Sequence, residues 1–304
     1  MHAAQGGWLP VRAALHPTGL FIASREIAPD ELQDAFMQET VARVAAAERI
    51  DQVERAGVGG VAGAAPAGLV FHVSRCGSTL VTQMLKQHGN LVVYAEPLPF
   101  NELLLPPHAW PRRELVAAIR SLGAAFGRHA GRPFVLKFTS WNTLFCDIVA
   151  EAFPSSPWIL CVRDPVEVGV SLVQRPPGWL GLVDAGRQAA SPEEKVAQVY
   201  GAFCESAARL DAGRGRLIRY ESLPGSVWDV VAPHFSLAMD SAGRQRMAEI
   251  ARIQSKLPLG KRAEFVADAA AKQSVASASL RRAIDSLARP KLAMLEKIHA
   301  GASR

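Results

Sequence analysis

A chain of 304 residues, 49% of them hydrophobic, can build one large α/β domain or two small ones, and global disorder is excluded. Its formal charge of +6 suits an anionic ligand, but the 34 lysines and arginines are scattered, without the basic run of a nucleic-acid-binding arm, so no nucleic-acid partner is expected. Four cysteines, Cys76, Cys146, Cys161 and Cys204, stand far apart with no C-x-x-C pair, which argues against a zinc site and a disulfide scaffold and for a reducing compartment.

The first residues lack the basic start and apolar core of a secretory signal, and no stretch is apolar for long enough to span a bilayer; a cytoplasmic protein with no membrane span is expected. Residues 1–67 read as an N-terminal helical cap and a linker. Leu20, Phe21 and Ile22 allow a short strand. Pro29-Asp30 opens a predicted helix with Glu31 and Asp34 in its first turns and Leu32, Phe36, Thr40 and Val44 along one face. Residues 57–68, GVGGVAGAAPAG, have no periodicity and read as a Gly/Ala-rich linker.

Residues 68–304 read as one α/β domain with a helical C-terminal segment, forming a single compact unit with the cap. Leu69, Val70, Phe71 and Val73 have interior-strand composition; Gly77 makes a turn; Ser78 and Thr79 open a helix carrying Leu80, Val81, Met84 and Leu85, which ends at Gly89. A strand over 91–94 leads to Glu96. A helix over 113–126, a strand over 134–138 bearing Lys137, and a helix over 141–153 capped by Ser140 come next. A strand over 158–162 then runs into Arg163-Asp164-Pro165, where Asp164 as N-cap and Pro165 at the first helical position make a strong helix start. Residues 175–190 contain Pro176, Pro177 and three glycines and suit a mobile loop over a site. A helix over 192–210, a strand over 216–220 and further helices complete the chain. This alternation predicts an α/β fold of three layers, a central parallel sheet with helices on both faces.

Strand, glycine turn and helix over 69–85 together make an anion site, because a helix N-terminus offers unpaired N–H groups and a positive dipole end. The ATP-binding loop G-x-x-x-x-G-K-[ST] does not fit, since the residue before Ser78 is Gly77 rather than lysine and the basic residue is Arg75. Glu96 and Lys137 are predicted at strand ends, where ligands gather in open parallel sheets.

Arg75-Cys76-Gly77-Ser78-Thr79, taken with Arg163-Asp164-Pro165 and Ser171 eight residues after Arg163, resembles the sulfotransferase family, in particular its bacterial and tyrosylprotein members. The resemblance covers 68–223 and includes Tyr220-Glu221-Ser222-Leu223, similar to the family's Y-E-x-L. It implies a P-loop-type fold and 3′-phosphoadenosine 5′-phosphosulfate as co-substrate, with no metal. Arg75, Cys76, Gly77, Ser78 and Thr79 would hold the 5′-phosphosulfate, and Arg163 and Ser171 the 3′-phosphate. Cys76 departs from the family's serine or threonine. Glu96 matches a catalytic glutamate, the general base, and Lys137 a catalytic lysine. The histidine that cytosolic members carry two residues after that lysine is Thr139 here, and His108 is a competing base. The late R-K-G-x-x-G loop is missing, with Ser255-Lys256 or Lys261-Arg262 as substitutes. The acceptor would be a small-molecule or peptide hydroxyl, less readily an amine. The alternatives are an ATP-dependent kinase or phosphotransferase, and a nucleotide-binding protein without turnover.

Overall fold

A computed structural model describes residues 7–60, 63–105, 110–183, 189–253, 263 and 268–302. The chain opens with an antiparallel sheet of three strands, β1 (Trp8–His16), β2 (Gly19–Glu26) and β3 (Glu48–Glu54), paired in that order. The expected helical cap is therefore mostly sheet. Its helix from Asp30 reduces to a 3-10 turn, Pro29–Glu31, and a seven-residue α1, Met37–Arg43. Alternation decides the matter: Val11 and Ala13 are buried between exposed Arg12 and Ala14, and Leu20, Ile22 and Ser24 are buried in β2. β3, ERIDQVE, is exposed along almost its whole length, and its charges suit an edge strand.

The linker is packed. An added Cβ on Gly59 would come within 2.8 Å of Ala117, and one on Gly63 within 2.6 Å of Ala124, so the small residues let this backbone lie directly on the helix that carries both alanines. Gly59 N–H also donates to Ser121 Oγ at 2.8 Å.

The second sheet is parallel. Its strands β4 (Gly68–His72), β5 (Val92–Ala95), β6 (Phe134–Lys137), β7 (Trp158–Val162) and β8 (Gly215–Arg219) lie in the order β5-β6-β4-β7-β8. Every residue of β4 to β7 is buried, as strands covered on both faces must be. The crossovers are α2 (Ser78–Leu85), then α3 (Leu98–Leu104) with α4 (Arg112–Ala130), then α5 (Cys146–Ala152), then α6 (Pro165–Gln174) with α7 (Pro192–Ala207). The short α8 (Ala232–His234) is followed by α9 (Ser241–Ala251), α10 (Ala269–Val275), α11 (Ala278–Leu287) and α12 (Arg289–Ala302). This is the predicted three-layer α/β arrangement.

Two predicted elements differ in detail. The helix over 141–153 divides into a 3-10 segment, Ser140–Phe145, and α5, and its cap is Thr139, one residue before Ser140. Asn142 Oδ1 accepts from Thr139 N–H at 3.0 Å and tightens that first turn. The loop over 175–190 contains a 3-10 turn, Gly178–Gly181, and Trp179 packs its ring against Phe203; residues 184–188 lie outside the described residues.

Candidate active site

The strand order places β4 at the centre, with its crossover to β5 on one side and β7 on the other, so the crevice opens at the carboxyl ends of these strands. The four charged residues predicted beside the strands stand there. Arg75 follows β4, Glu96 follows β5, Lys137 ends β6 and Arg163 follows β7.

After β4, Ser74, Arg75 and Gly77 all take left-handed backbone angles, with φ of 71°, 51° and 82°. A run of this kind curls successive N–H groups toward one concavity. Gly77 is required twice over: its φ disfavours side chains, and an added Cβ would meet Leu223 at 2.5 Å and Tyr220 at 3.0 Å. The Y-E-x-L segment thus braces the loop from behind. α2 starts at Gly77 without a side-chain cap, and Ser78 and Thr79 are buried in its first turn. Cys76 is fully buried, and Arg75 is half-buried.

Glu96 is also left-handed, with φ of 55°, and its N–H donates to the Lys137 carbonyl at 2.7 Å, so the β5–β6 pairing itself sets the two side chains together. Lys137 Nζ donates to Glu96 Oε1. Burial works to raise the Glu96 pKa, but the Lys137 ammonium and a contact from His72 outweigh it and hold the carboxyl well below the usual range. Lys137 is fully buried, while Glu96 keeps 23% side-chain exposure.

His72 was not among the predicted site residues. Its Nδ1 accepts from Ser74 N–H at 3.2 Å, which leaves Nε2–H to donate to the Phe138 carbonyl at 3.0 Å, with Glu96 Oε1 3.7 Å from Nε2. One imidazole therefore touches the anion loop, the end of β6 and the carboxylate. Its only sequence signal is a polar residue inside an apolar strand.

Phe36, from the segment between β2 and α1, lies over Lys137, with Nζ 5.2 Å from the ring centroid. Nearby, Lys86 Nζ donates to the Asp34 carbonyl, and burial draws its pKa down to about 8 against the pull of Asp34. The N-terminal region therefore forms one wall of the crevice.

On the other side, Asp164 caps α6, its Oδ1 accepting from Val166 and Glu167 N–H. Arg163 is buried, and each of its guanidinium nitrogens donates: Nε to Glu167 at 2.6 Å, Nη2 to Asp268 at 2.7 Å and Nη1 to the Arg75 carbonyl at 3.3 Å. The Tyr220 ring stacks on it at 3.9 Å. Ser171 Oγ donates to the Glu167 carbonyl at 3.0 Å, inside its own helix. Glu167, Tyr220 and Asp268 complete this corner and were not predicted for it. His108 and the residues suggested as substitutes for the late nucleotide loop, Ser255, Lys256, Lys261 and Arg262, lie outside the described residues. Among the described residues no group of three His, Cys, Asp or Glu side chains is arranged to hold a metal ion.

Fold and site define an open parallel α/β protein with a left-handed loop leading into a helix at the centre of its sheet and a buried arginine, Arg163, one strand away. The particular fold is that of the sulfotransferases. The sulfotransferase domain of the Synechococcus PCC 7002 olefin synthase matches 77% of this chain and 94% of its own with a TM-score of 0.50 at 14% identity. The sulfotransferase domain from the curacin biosynthetic pathway gives a TM-score of 0.48 at 16% identity, over 74% of this chain and 98% of its own. No protein-family model matches the chain, and no curated protein matches it in sequence. No helix among the described residues is long and apolar enough to cross a membrane.

Proposed function

We propose that this chain is a sulfotransferase that moves the sulfuryl group of 3′-phosphoadenosine 5′-phosphosulfate to the hydroxyl of a small-molecule or peptide acceptor. The observation that carries the reading is the meeting of the Glu96–Lys137 pair with the left-handed Ser74 to Gly77 loop at adjoining strand ends, with Arg163 beside them. Loop N–H groups and Arg75 would hold the 5′-phosphosulfate, and Arg163 the 3′-phosphate.

In the transfer, the acceptor oxygen forms a bond to sulfur while the bridging S–O bond breaks and its electron pair leaves on adenosine 3′,5′-bisphosphate. The acceptor proton passes to Glu96. Sulfuryl transfer, like phosphoryl transfer, depends chiefly on position and electrostatics, and Lys137 with the loop N–H groups supplies the positive charge at the leaving oxygen. The depressed Glu96 pKa belongs to the state in which Lys137 is its partner. When Lys137 turns to the leaving oxygen its depressing charge is withdrawn, and the Glu96 pKa moves up toward that of a useful base, with His72 still opposing burial.

Thermal shift with adenosine 3′,5′-bisphosphate and with ATP·Mg²⁺ tests the donor. At about 100 times its dissociation constant the bisphosphate adds roughly 2.7 kcal/mol. A large shift with ATP·Mg²⁺ and none with the bisphosphate would sink the reading in favour of a phosphotransferase. Glu96→Gln should keep the bisphosphate shift while transfer to any working acceptor falls on the order of 10²- to 10⁴-fold.

A further inference from the structure

Every nitrogen of Arg163 already donates a hydrogen bond, three of its five N–H groups in all. Nε is held by Glu167, which is 9% exposed and sits four residues along the same helix; Nη1 is held by the Arg75 carbonyl; one face is covered by Tyr220. Of the two carboxylates on Arg163, Asp268 at Nη2 is the one that reaches solvent, with a side chain 49% exposed. That carboxylate is itself shared: Oδ1 accepts from Arg163 at 2.7 Å, and Oδ2 pairs with Lys272 Nζ at 2.7 Å. It is an anion seated between two cations, ionised because their hydrogen bonds and charges outweigh its burial. The position is fixed by Gln273, whose Nε2 donates to Asp164 Oδ1 at 3.0 Å and which ties α10 to the start of α6. Arg281 in turn donates to the Gln273 carbonyl.

A phosphate dianion brought to Arg163 meets two carboxylates already paired with the guanidinium, Glu167 at Nε and Asp268 at Nη2, and their charge opposes its own. That opposition is relieved if one of them leaves. Glu167 is buried in the first turn of α6, and parting from Arg163 would leave its carboxylate with a neutral amide, Gln273 at 3.4 Å, and no cation, which is strongly unfavourable. Asp268 can turn to water at little penalty, because exposed ion pairs contribute little.

We propose that the Asp268 carboxylate is an internal occupant of the phosphate site at Arg163, that a nucleotide phosphate monoester displaces it, and that Lys272 then serves as the second cation for that phosphate. The proposal rests on the donor reading above and deepens it. It makes the site selective for 3′-phosphorylated nucleotides, since one lacking that phosphate brings nothing to exchange for Asp268. Lys272 also stands in for the basic residues that the late nucleotide loop would have supplied.

The test is calorimetric titration of the full chain and of Asp268→Asn, Asp268→Ala and Lys272→Met with adenosine 3′,5′-bisphosphate and with adenosine 5′-phosphate. Asp268→Asn keeps an acceptor oxygen for Arg163 and should fold; a melting curve of each variant checks this. Removing the competing charge should tighten bisphosphate binding about three- to tenfold in both Asp268 variants, and Lys272→Met should weaken it by a similar factor. Adenosine 5′-phosphate affinity should not change in any variant. Unchanged or weaker bisphosphate binding in both Asp268 variants overturns the displacement, and unchanged binding in Lys272→Met removes Lys272 from the site. In either case the donor reading stands as long as the wild type binds the bisphosphate. If the wild type does not bind it, the donor reading falls and the displacement falls with it.

Discussion

At the scale of single residues the site is a set of charges that hold one another. Glu96 and Lys137 show this best, because Lys137 is fully buried and Glu96 mostly so, and each would be unfavourable alone. A carboxyl whose folded pKa lies below its unfolded value near 4.3 contributes stability above that pH and loses it as the pH falls through the folded value. Lys137→Met removes the ammonium that depresses Glu96 and leaves burial opposed by His72. The variant should therefore be less stable by about 3 kcal/mol at pH 7, toward the low end for a broken buried pair because Glu96 keeps some exposure. The gap between wild type and variant should narrow as the pH falls below the unfolded value near 4.3, because the wild-type carboxyl then begins to lose its contribution. Urea unfolding at pH 7 and pH 4 measures it; an equal gap at both would assign Lys137 a packing role only. Glu96, Lys137, Arg75 and Arg163 were legible in the sequence because each ends an apolar run, and a parallel sheet collects strand ends on one edge. Asp268 was not legible, since it reaches Arg163 from 105 residues away through helices whose packing no local pattern encodes. His72 was hidden by its own strand, where a lone histidine reads as core.

At the scale of elements the central sheet was legible and the N-terminal sheet was not. β4 to β7 are short and apolar up to the last residue, whereas β1 carries a bulge between Pro10 and Arg12 that interrupts its alternation, and β3 has almost no buried side chain. The Gly/Ala segment was misread for a different reason: lack of periodicity is shared by free linkers and by backbone that lies flat on a helix. The two can be separated. A free linker would accept Gly63→Val without effect. Here an added Cβ would sit 2.7 Å from the Ala124 Cα, so α4 or the segment must shift, and a loss of about 1–3 kcal/mol is expected. Equilibrium urea unfolding of the variant decides between them, and a change within error would mean that the segment does not hold its place on α4. The same contact bears on the site, because the N-terminal sheet, the packed segment and Phe36 are one continuous stretch. Loosening the segment should also weaken the wall over Lys137.

At the scale of the whole molecule, three imidazoles fasten different elements to the central sheet. His129 on α4 has Nε2 2.8 Å from the Ile27 carbonyl, so Nε2–H donates there and Nδ1 accepts from the Tyr94 hydroxyl at 2.6 Å, joining the N-terminal sheet to β5. His234 Nε2 lies 3.1 Å from the Trp158 carbonyl and 3.0 Å from that of Arg214, at the β7–β8 edge. His299 packs its ring edge-on against Trp158 and brings α12 to the same strand. Burial lowers the pKa of all three, ahead of every other influence. An imidazole with a lowered folded pKa stays neutral in the native state while the unfolded chain takes up a proton near pH 6.5, so the unfolded state binds more protons below that pH and stability must fall with it. Each such proton contributes a slope of about 1.4 kcal/mol per pH unit at most. The depressed carboxyls, Glu96 and Asp268, act in the same direction only below the ordinary carboxylate range, so between pH 7 and 5 the imidazoles set the trend. Unfolding free energies from urea titrations across that interval should decline, and His129→Gln, which keeps an amide donor for Ile27, should decline less steeply than the wild type. A flat profile in the wild type would show that these rings are as readily protonated folded as unfolded. Equal slopes in the two proteins would take His129 out of the account and leave His234 and His299 to carry it. The elements that acid loosens first would then be α12 and the β7–β8 edge, beside Arg163, and the N-terminal wall of the site would stay closed.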